Sequence, residues 1–464
     1  MKKVLSTDAK KKSDKFKHGQ IIEVVIDRLN DDGFGVSSHE GTPVLIAGGL
    51  PGETIRAKIT YVGRRETFAA VVKIIQSSPD RVVPPNCNKG ACDGCALLQL
   101  KYPAQLAWKK QLTIKSLRNF KAIGNTRVYE VIPSPKQLNY RNSAKLIVSG
   151  KFANPVIGIY RRNSHEVLEI SGCTVHHPLI DRVIEAVKAG IKKGRVPIYN
   201  PKSRMGLLRY LVIRVSESAN RAMVIFVTAE RSYNEIHHLA KYLKNSVPEV
   251  SVIAQNVNNS QGNVILGQKD YFITREQALS ASVGNVGFLI SPRSFFQINS
   301  GSALIIYEKV REWGATGAEQ VLDLYCGIGG ISLFIAPYCK EVIGIEAVEA
   351  AVEDAEKNAR LNGIGNCRFI AGDVARLLEE KLEDGEKFDL IILNPPRKGC
   401  DEKVLEKVAS LAPAKIIYVS CSPDTLARDL NMLAGLGYQT KGVQPVDMFP
   451  QTPHVENVAL LIKH

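Results

Sequence analysis

The feature that most constrains the fold of this chain is the alternation of short apolar segments with helical stretches over residues 286–464. The strand-like segments are VLDLY, EVIGIE, CRFIAGD, FDLIILNPP, KIIYVSC and VALLIKH. Apolar strands that alternate with helices are typical of a parallel sheet with helices on both faces. The sequence therefore predicts an α/β domain in this region, although these residues do not give the order of its strands.

Three of these strands end in groups that suit a nucleoside ligand. The first leads into the glycine-rich turn Asp323–Gly330, the second ends at Glu346, and the third is followed by Asp373. Ligands of open α/β sheets bind beyond the carboxyl ends of the strands, where an acid can hold both ribose hydroxyls. We expect Asp373 to face an adenine amino group. The turn lacks the Lys-Ser/Thr pair of a triphosphate-binding loop and the GxGxxG pattern of dinucleotide-binding dehydrogenases, which are the alternative class.

A cysteine and a glutamate near the C-terminus are the candidate reactive groups. Cys421 directly follows the strand KIIYV, on the edge of the sheet where ligands bind, and Glu456 lies in the segment DMFPQTPHVEN. A thiolate at such a position can act as a covalent nucleophile, and a carboxylate beside it can act as a general base. The alternatives are a buried structural cysteine and an acid on a surface loop. If the reactive interpretation holds, the two side chains lie close together.

These motifs resemble those of a known enzyme family. The order of Asp323–Gly330, Glu346, Asp373 and Asn394-Pro395-Pro396 resembles the class I S-adenosylmethionine-dependent methyltransferases. Six segments resemble, more specifically, the motifs of the RNA uracil-5-methyltransferases of the RumA/TrmA type: NPPRKGCD, VSCSP, DMFPQTPHVEN, SPRSFFQIN, IGIYRRNSHEV and GLLRYLVIRV. The resemblance extends from the N-terminal region to His464, essentially the whole chain.

The resemblance implies a mechanism and a set of site residues. Cys421 would add to C6 of a uridine in RNA, C5 would take the methyl group of S-adenosylmethionine, and Glu456 would remove the C5 proton to leave 5-methyluridine. The implied cofactor-binding residues are Gln297, Tyr325, Gly330, Glu346, Asp373 and Asn394. Two of them depart from the family's pattern, because the family usually has Asp at position 394 and because Gly330 offers only its backbone.

Two other functions are considered beside this one. A non-catalytic RNA-binding or ribosome-assembly factor on a methyltransferase scaffold would bind RNA without turnover, but Cys421, Glu456 and the glycine turn are all present. An RNA cytosine-5-methyltransferase would commonly place a cysteine directly after the proline of the NPP segment, where this chain has Arg397. Uracil is therefore the favoured base.

The N-terminal part of the chain is basic and has the pattern of a small β-barrel. The net charge of +15 is uneven, since residues 290–464 carry 18 Lys/Arg and 24 Asp/Glu, a net charge of −6, which leaves +21 for residues 1–289. Five β-rich segments in residues 18–78 predict an OB-like barrel, which resembles a TRAM domain, an RNA-binding module. RNA is therefore the expected partner, with a loop uridine or a flipped-out uridine as the target.

The cysteines indicate a metal centre. Cys87, Cys92 and Cys95 are spaced as C-x4-C-x2-C, and Cys173 follows further along the chain. In a reducing compartment four such thiolates indicate either tetrahedral zinc or an iron–sulfur cluster, and the spacing does not decide between them. The family resemblance implies a [4Fe-4S] cluster and, with the barrel, favours 23S ribosomal RNA over transfer RNA as the substrate. Radical S-adenosylmethionine enzymes, which need CxxxCxxC, are disfavoured by the spacing.

The sequence thus predicts a multidomain protein. We expect a basic flexible tail at residues 1–17, the barrel at 18–78, a cysteine segment and helix at 79–125, a central α+β domain at 126–285, and a class I (Rossmann-like) α/β methyltransferase domain at 286–464. The chain has no run of about 18 uncharged apolar residues that would span a membrane. Its N-terminal lysines are not followed by the apolar stretch of a secretory signal. A cytoplasmic protein, monomeric by default, is expected.

Overall fold

The computed structural model describes residues 16–64, 66–85, 87, 92, 94–162, 164–261 and 264–464. The strands of this part of the chain form one six-stranded sheet, two seven-stranded sheets and a two-stranded hairpin. Within the same residues no helix is both long and apolar enough to cross a membrane. The predicted basic tail falls outside the described residues, apart from Phe16 and Lys17, and the predicted domain limits remain predictions.

The six-stranded sheet forms the N-terminal barrel. Its strands are β1 Ile21–Val25, β2 Arg28–Leu29, β3 Gly35–His39, β4 Thr42–Ala47, β5 Thr54–Val62 and β6 Thr67–Gln76. They pair in the order β1-β5-β6-β4-β3-β2. Because β1 and β2 adjoin each other in the chain, the two ends of this order meet and the sheet curls back on itself. Alternate residues of β5 (Ile55, Ala57 and Ile59) fill its interior. The predicted small barrel is confirmed.

Helix α1, Tyr102–Arg118, follows the cysteine segment and lies within the region 79–125, where the sequence predicts a helix. Its first turn contains Pro103, and a proline is favoured there because the missing N–H would have no partner in the helix. Its buried face is largely polar and consists of Gln105, Lys109, Thr113, Ser116 and Leu117. Polar groups that leave water need partners in the protein, and the partners of α1 belong to the catalytic region described below.

The central sheet is covered by helices on one face only. Its strands are β7 Ser143–Lys151, β8 Asn154–Tyr160, β9 Val167–Glu169, β10 Leu208–Ser216, β11 Arg221–Thr228, β12 Val250–Val257 and β13 Lys269–Phe272, in the order β13-β12-β11-β10-β7-β8-β9. Val224 and Phe226 of β11 pack with helices α2, Pro178–Gly194, and α3, Asn234–Ser246. The intervening Met223 and Ile225 belong to the core of the C-terminal region instead. The central and C-terminal sheets therefore share one hydrophobic core.

A hairpin of β14, Leu279–Val283, and β15, Val286–Ile290, joins these two sheets. Its turn contains Gly284 with φ +57°, a left-handed conformation that glycine adopts without strain. The predicted limit between residues 285 and 286 falls in this turn. The buried residues of both strands belong to the shared core.

The C-terminal sheet has the predicted α/β architecture. Its strands are β16 Gln320–Leu324, β17 Glu341–Glu346, β18 Cys367–Ala371, β19 Leu390–Leu393, β20 Lys415–Ser420, β21 Tyr438–Val446 and β22 Glu456–Lys463. They lie in the order β18-β17-β16-β19-β20-β22-β21, with β16 to β20 parallel and β22 antiparallel to both of its neighbours. The order reverses between β16 and β19. Such a reversal opens a crevice at the strand ends, where ligands of these folds bind.

Helices cover both faces of this sheet. They are α4 Ser300–Val310, which continues into a π-helical turn at Arg311–Ala315, α5 Gly330–Ile335 with a 3₁₀ turn at Ala336–Tyr338, α6 Glu349–Leu361, α7 Val374–Glu383, α8 Glu402–Ser410 and α9 Pro423–Gly435. Neighbouring residues of β16 point to opposite sides, since Val321 belongs to the core shared with the hairpin and Leu322 to the core beneath α7, α8 and α9. Burial on both faces explains why these strands read as continuous apolar runs.

Strand β21 does not follow that pattern, and the sequence did not predict it. It contains Lys441, Gly442 and Pro445, and its register shifts between Thr440 and Gly442. It forms the edge of the sheet, where a proline costs no ladder hydrogen bond on its open side. Val128 and the following residues run beside this edge and bridge to it in parallel.

Candidate active site

The glycine-rich turn begins where β16 ends. Tyr325 has φ 63°, and Gly327 and Gly329 have φ 57° and 80°, so the backbone turns sharply before α5. The Gly327 amide donates to Oε2 of Glu346 at 3.2 Å, and the Val348 amide donates to Oε1 of the same side chain at 2.9 Å. Glu346 is the last residue of β17. The first two predicted strand ends are therefore joined by a direct hydrogen bond at the switch point.

Asp323 fixes this turn from within the core. Its carboxylate is fully buried and accepts a 2.5 Å hydrogen bond from the Ser332 hydroxyl in the first turn of α5. Burial raises the pKa of Asp323 to about 7, although the bond from Ser332 acts in the opposite direction. The bond anchors α5 to the end of β16, and it explains the acidic residue at the start of the predicted motif as a structural support of the turn.

Gly330 is the first residue of α5, and the space for a side chain is occupied. A Cβ built there would lie 2.5 Å from the hydroxyl oxygen of Tyr307, a buried residue of α4. A heavy-atom contact of this kind cannot be accommodated without movement. The glycine therefore allows α4 and α5 to pack closely at the switch point, a role that the sequence did not indicate.

The remaining predicted cofactor residues lie on three separate segments. Asn394 follows β19, and its backbone N–H donates to the carbonyl of Leu324, at the end of β16, at 3.3 Å. Asp373 caps helix α7 by accepting from the Arg376 amide at 2.9 Å. Gln297 lies in the loop before α4, where its carbonyl accepts from the Asn142 side chain. In the described residues no hydrogen bond joins the Gln297 side chain or Asp373 to the other predicted cofactor residues, although the Asp373 charge acts on Tyr325.

Cys421 and Glu456 are brought together by the pairing of β20 with β22. Ser420 of β20 is the partner of Asn457 in β22, so Cys421, one residue further, lies beside Glu456, one residue earlier. Burial and the Glu456 charge raise the pKa of the Cys421 thiol. Burial raises the pKa of Glu456 to about 8. The expected proximity of the two groups is thus present, with a largely buried carboxyl that readily takes up a proton near neutral pH.

Arg397 lies beside Cys421 and Glu456 and was not among the site residues predicted from the sequence. Its guanidinium interacts with the Cys421 side chain, and its charge lowers the pKa of both Cys421 and Glu456 against the effect of burial. Arg397 is exposed on the loop after β19. The sequence signal that could have indicated it is its position directly after Asn394-Pro395-Pro396. In the sequence analysis this position only distinguishes uracil from cytosine methyltransferases.

The four predicted metal ligands lie around one pocket of about 730 Å³ between the barrel and the cysteine segment. Burial raises the pKa of the Cys95 thiol to about 12, with further contributions from Cys173, Cys92 and Cys87. These sulfurs are therefore near enough to interact. Among the residues that the structure describes, however, no group of three or more His, Cys, Asp or Glu side chains has the spacing of a metal site.

A second pocket, of about 330 Å³, lies beside Gln297 and is strongly basic. Its cationic lining residues are Arg141, Lys145, Arg214 and Arg293. Arg214 is 8% exposed, and its Nε has no hydrogen-bond partner among the described residues. The neighbouring Phe295 is 67% exposed. A pocket with several cations, one of them buried with an unused donor, suits a phosphate group.

The strand order and the glycine turn at its switch point define a class I α/β methyltransferase. The family model described as tRNA (Uracil-5-)-methyltransferase matches residues 101–464, and that of the TRAM domain matches residues 15–72. Since the first match covers most of the sequence, the chain belongs to the tRNA (uracil-5-)-methyltransferase family. The predicted family and fold class are confirmed.

Similar proteins agree with this assignment along nearly the whole chain. An uncharacterized RNA methyltransferase of Geobacter sulfurreducens is 60% identical, over 96% of this chain and 91% of the relative. Another from Halalkalibacterium halodurans is 37% identical, over 95% and 96%. Among solved structures, the tRNA (uracil-54, C5)-methyltransferase of Pyrococcus abyssi in complex with S-adenosyl-L-homocysteine is 31% identical, with a TM-score of 0.77 over 95% of this chain and 99% of that one.

The contact between Gly330 and Tyr307 predicts a substitution effect with a specific rescue. Gly330→Ala should lower the free energy of unfolding by about 1–3 kcal/mol, the usual cost of overpacking a tight core. Tyr307→Phe removes the hydroxyl that the new methyl group would meet, so the double variant should recover most of this loss. Chemical denaturation of the three variants measures it, and additive effects of the two substitutions would contradict the contact.

The charges around Cys421 predict opposite shifts in its reactivity. Arg397→Met should move the pH of half-maximal alkylation of Cys421 upwards, since a cation that stabilises the thiolate is lost, and Glu456→Gln should move it downwards. Alkylation of the Cys421 peptide at a series of pH values, followed by mass spectrometry, measures both shifts. Cys339, which lies outside this group, is the internal control. Shifts of the same sign in the two variants would contradict the proposed charge arrangement.

Proposed function

We propose that this protein forms 5-methyluridine in RNA with S-adenosylmethionine as the methyl donor. The observation that carries this proposal is the position of Cys421 beside Glu456, at the same edge of the sheet as the glycine turn. Uracil C5 is a poor nucleophile, and a thiolate that adds to C6 makes C5 reactive. A nucleophilic cysteine and a base next to it are therefore the two groups that this reaction requires.

The proposed reaction proceeds through a covalent bond between Cys421 and the uracil ring. The Cys421 thiolate forms a bond to uracil C6, and the electron pair of the C5–C6 double bond moves towards C5 and the O4 carbonyl. C5 then takes the methyl group from the sulfonium, which leaves S-adenosylhomocysteine. Glu456 accepts the C5 proton, the C5–C6 double bond reforms, and the C6–sulfur bond breaks to release the thiolate. Arg397 would favour the thiolate and the carboxylate, which are the two reactive ionisation states.

The residues around the switch point would bind the methyl donor. We assign Glu346 to the ribose hydroxyls, and Tyr325, Gly330, Asp373, Asn394 and Gln297 to the rest of the cofactor. Two observations support this assignment. Several of these residues lie at or directly after the ends of parallel strands, and the Glu346 carboxylate accepts a hydrogen bond from Gly327 in the glycine turn. Asn394 would act through its amide, which can donate as well as accept, unlike the carboxylate usual in the family.

RNA would bind across the basic N-terminal half of the chain. The pocket with Arg141, Lys145 and Arg214 beside Gln297 could hold a phosphate close to the reacting uridine. The barrel and the cysteine set favour 23S ribosomal RNA as the substrate, by analogy with the family. Transfer RNA is the second candidate, favoured by the name of the Pyrococcus abyssi enzyme.

A [4Fe-4S] cluster is the proposed occupant of the cysteine pocket, held by Cys87, Cys92, Cys95 and Cys173. Support for it comes from the family resemblance and from the single pocket that all four cysteines line, whereas the described side chains do not have the spacing of a metal site. The cluster would supply a structural cross-link between the segment before α1 and the central sheet. The methyl-transfer chemistry needs no electron from it.

The proposed reaction predicts distinct outcomes for two variants. With labelled S-adenosylmethionine, the unmodified protein should place 5-methyluridine in large-subunit ribosomal RNA that lacks it, and transfer RNA is tested in parallel. Cys421→Ala should give no product. Glu456→Gln should reduce turnover by about 10²–10⁴-fold, because the C5 proton can no longer leave to a base, and should leave RNA covalently attached to Cys421.

The product identifies which proposal holds. Label in transfer RNA alone would assign the second substrate, and label in cytidine would show that the base is wrong. RNA binding without label in either RNA would leave the non-catalytic assembly factor as the function.

The cysteine set predicts a metal content that depends on single residues. Protein purified without oxygen should contain iron and inorganic sulfide in equal amounts and absorb broadly in the visible range. Cys95→Ser should lose both, whereas Cys339→Ser should keep both, since Cys339 lies outside the set. Zinc in place of iron would identify the other tetrahedral centre, and the absence of any metal would refute the cluster.

A further inference from the structure

The segment Asp447–Gln451, five residues before Glu456, is held at every backbone carbonyl. The carbonyls of its five residues accept, in chain order, from the Ser302 hydroxyl (3.0 Å), the Asn299 amide (3.0 Å), Lys109 Nζ (2.9 Å), the Tyr140 hydroxyl (3.0 Å) and the Leu97 backbone N–H (3.0 Å). These donors come from α4 and its cap, from α1, from the segment before β7 and from the cysteine segment. We refer to Asp447–Gln451 as the anchor segment.

Helix α1 supplies the charged member of this set. The side chains of Gln105, Lys109, Thr113 and Ser116 lie at intervals of four, four and three residues and therefore form one stripe on the helix. The exposure of each is 5% or less. A stripe of this composition does not form for hydrophobic reasons, so its hydrogen-bond partners determine where the helix docks.

Each side chain of the stripe forms a hydrogen bond to a residue near Glu456 or Cys421 in the sequence. Gln105 bonds to the side chain of Gln451 at 2.8 Å, and Lys109 bonds to Asp447 at 2.5 Å. Thr113 donates to Oδ1 of Asn457 at 2.9 Å, one residue from Glu456. Ser116 donates to Asp424 at 2.5 Å, three residues from Cys421. One rigid helix therefore contacts both the strand that begins with Glu456 and the helix that follows Cys421.

Among the residues of the stripe, only Lys109 is charged. It is fully buried, as is Asp447, and taking two charges out of water is unfavourable unless good geometry and further hydrogen bonds compensate. Replacement of such a pair by apolar residues is often neutral for stability. Because apolar residues could fill the same space, the particular contribution of this pair is that it joins α1 to the anchor segment, which suits a positional role.

We propose that Lys109 is a positioning residue for the proton-removal step, because its ammonium holds the anchor segment and thereby places Glu456 next to the methylated uracil. The inference rests on the proposed function, in which Glu456 is the base. Loss of Lys109 leaves Cys421 and the glycine turn in place, so addition and methyl transfer continue. The C5 proton then leaves slowly, and the C6–sulfur bond persists.

The test is a single-turnover reaction with labelled S-adenosylmethionine and the RNA that the protein methylates, followed by denaturing electrophoresis. Methyl transfer is read from label in RNA, and adduct release is read from the fraction of RNA that stays attached to protein. Lys109→Met should transfer the methyl group at nearly the normal rate but release RNA roughly tenfold more slowly, as expected for a small displacement of a catalytic group. Lys109→Arg should restore most of the release rate.

The matched control is Lys110→Met, the same substitution at the next position of α1. Lys110 pairs with Glu130 on the surface and has no hydrogen bond to the anchor segment in the described structure, so both rates should remain normal. Thr113→Val, nearly isosteric, is the second variant if Lys109→Met does not fold, and it should also delay release. Equal loss of both rates, or no change in either for these α1 variants, overturns the proposal.

Glu456→Gln is included in the same experiment as the reference for a missing base. If its adduct persists while those of Lys109→Met and Thr113→Val do not, the proposed function stands and the positioning role is wrong. If the Glu456→Gln adduct is released at the normal rate, Glu456 is not the base, and the positioning role of Lys109 falls with that assignment, whereas the labelled product still tests the formation of 5-methyluridine.

Discussion

The register between β20 and β22 is the constraint on which the arrangement of the active site depends. Ser420 pairs with Asn457, and side chains in a strand alternate between the two faces of the sheet. A slip of one residue would carry Glu456 to the opposite face and Asn457 to the side of Cys421. Both neighbours of β22 pack apolar residues into cores on each face, and Thr113 bonds to Asn457. The register of β22 is therefore specified by burial on both faces of the sheet and by the hydrogen bond from Thr113 near the start of the strand.

Much of the C-terminal fold could be predicted from the sequence, because β16 to β20 are buried on both faces and contain uninterrupted apolar residues. The pairing of Cys421 with Glu456 was also predictable from motifs at the ends of two strands. Strand β21 was not, since Lys441, Gly442 and Pro445 obscure its pattern and its edge position tolerates them. The role of Gly330 depends on Tyr307, which lies 23 residues earlier on another helix, so no local sequence pattern indicates the contact. The polar stripe of α1 was equally hidden, because its partners lie more than 300 residues away.

The basic part of the chain has two different surfaces, an apolar face of the central sheet and a cationic pocket. The central sheet offers the C-terminal domain an apolar face, while the cations around Arg214 line a pocket beside Gln297. The apolar face, shared by both sheets, keeps this pocket at a fixed distance from the strand ends, since close-packed interiors deform little.

Strand β22 follows both β20 and β21 in the chain and yet lies between them in the sheet. During synthesis the barrel and the central sheet can fold while this place in the sheet is still vacant, so β20 and β21 have no common partner until β22 leaves the ribosome. Glu456 is the first residue of that strand, so a nascent chain that does not yet include β22 has Cys421 without the carboxylate beside it. The topology delays assembly of this pair until β22 has been made, and a chain that lacks β22 would present two unpaired strand edges, which are sites of aggregation.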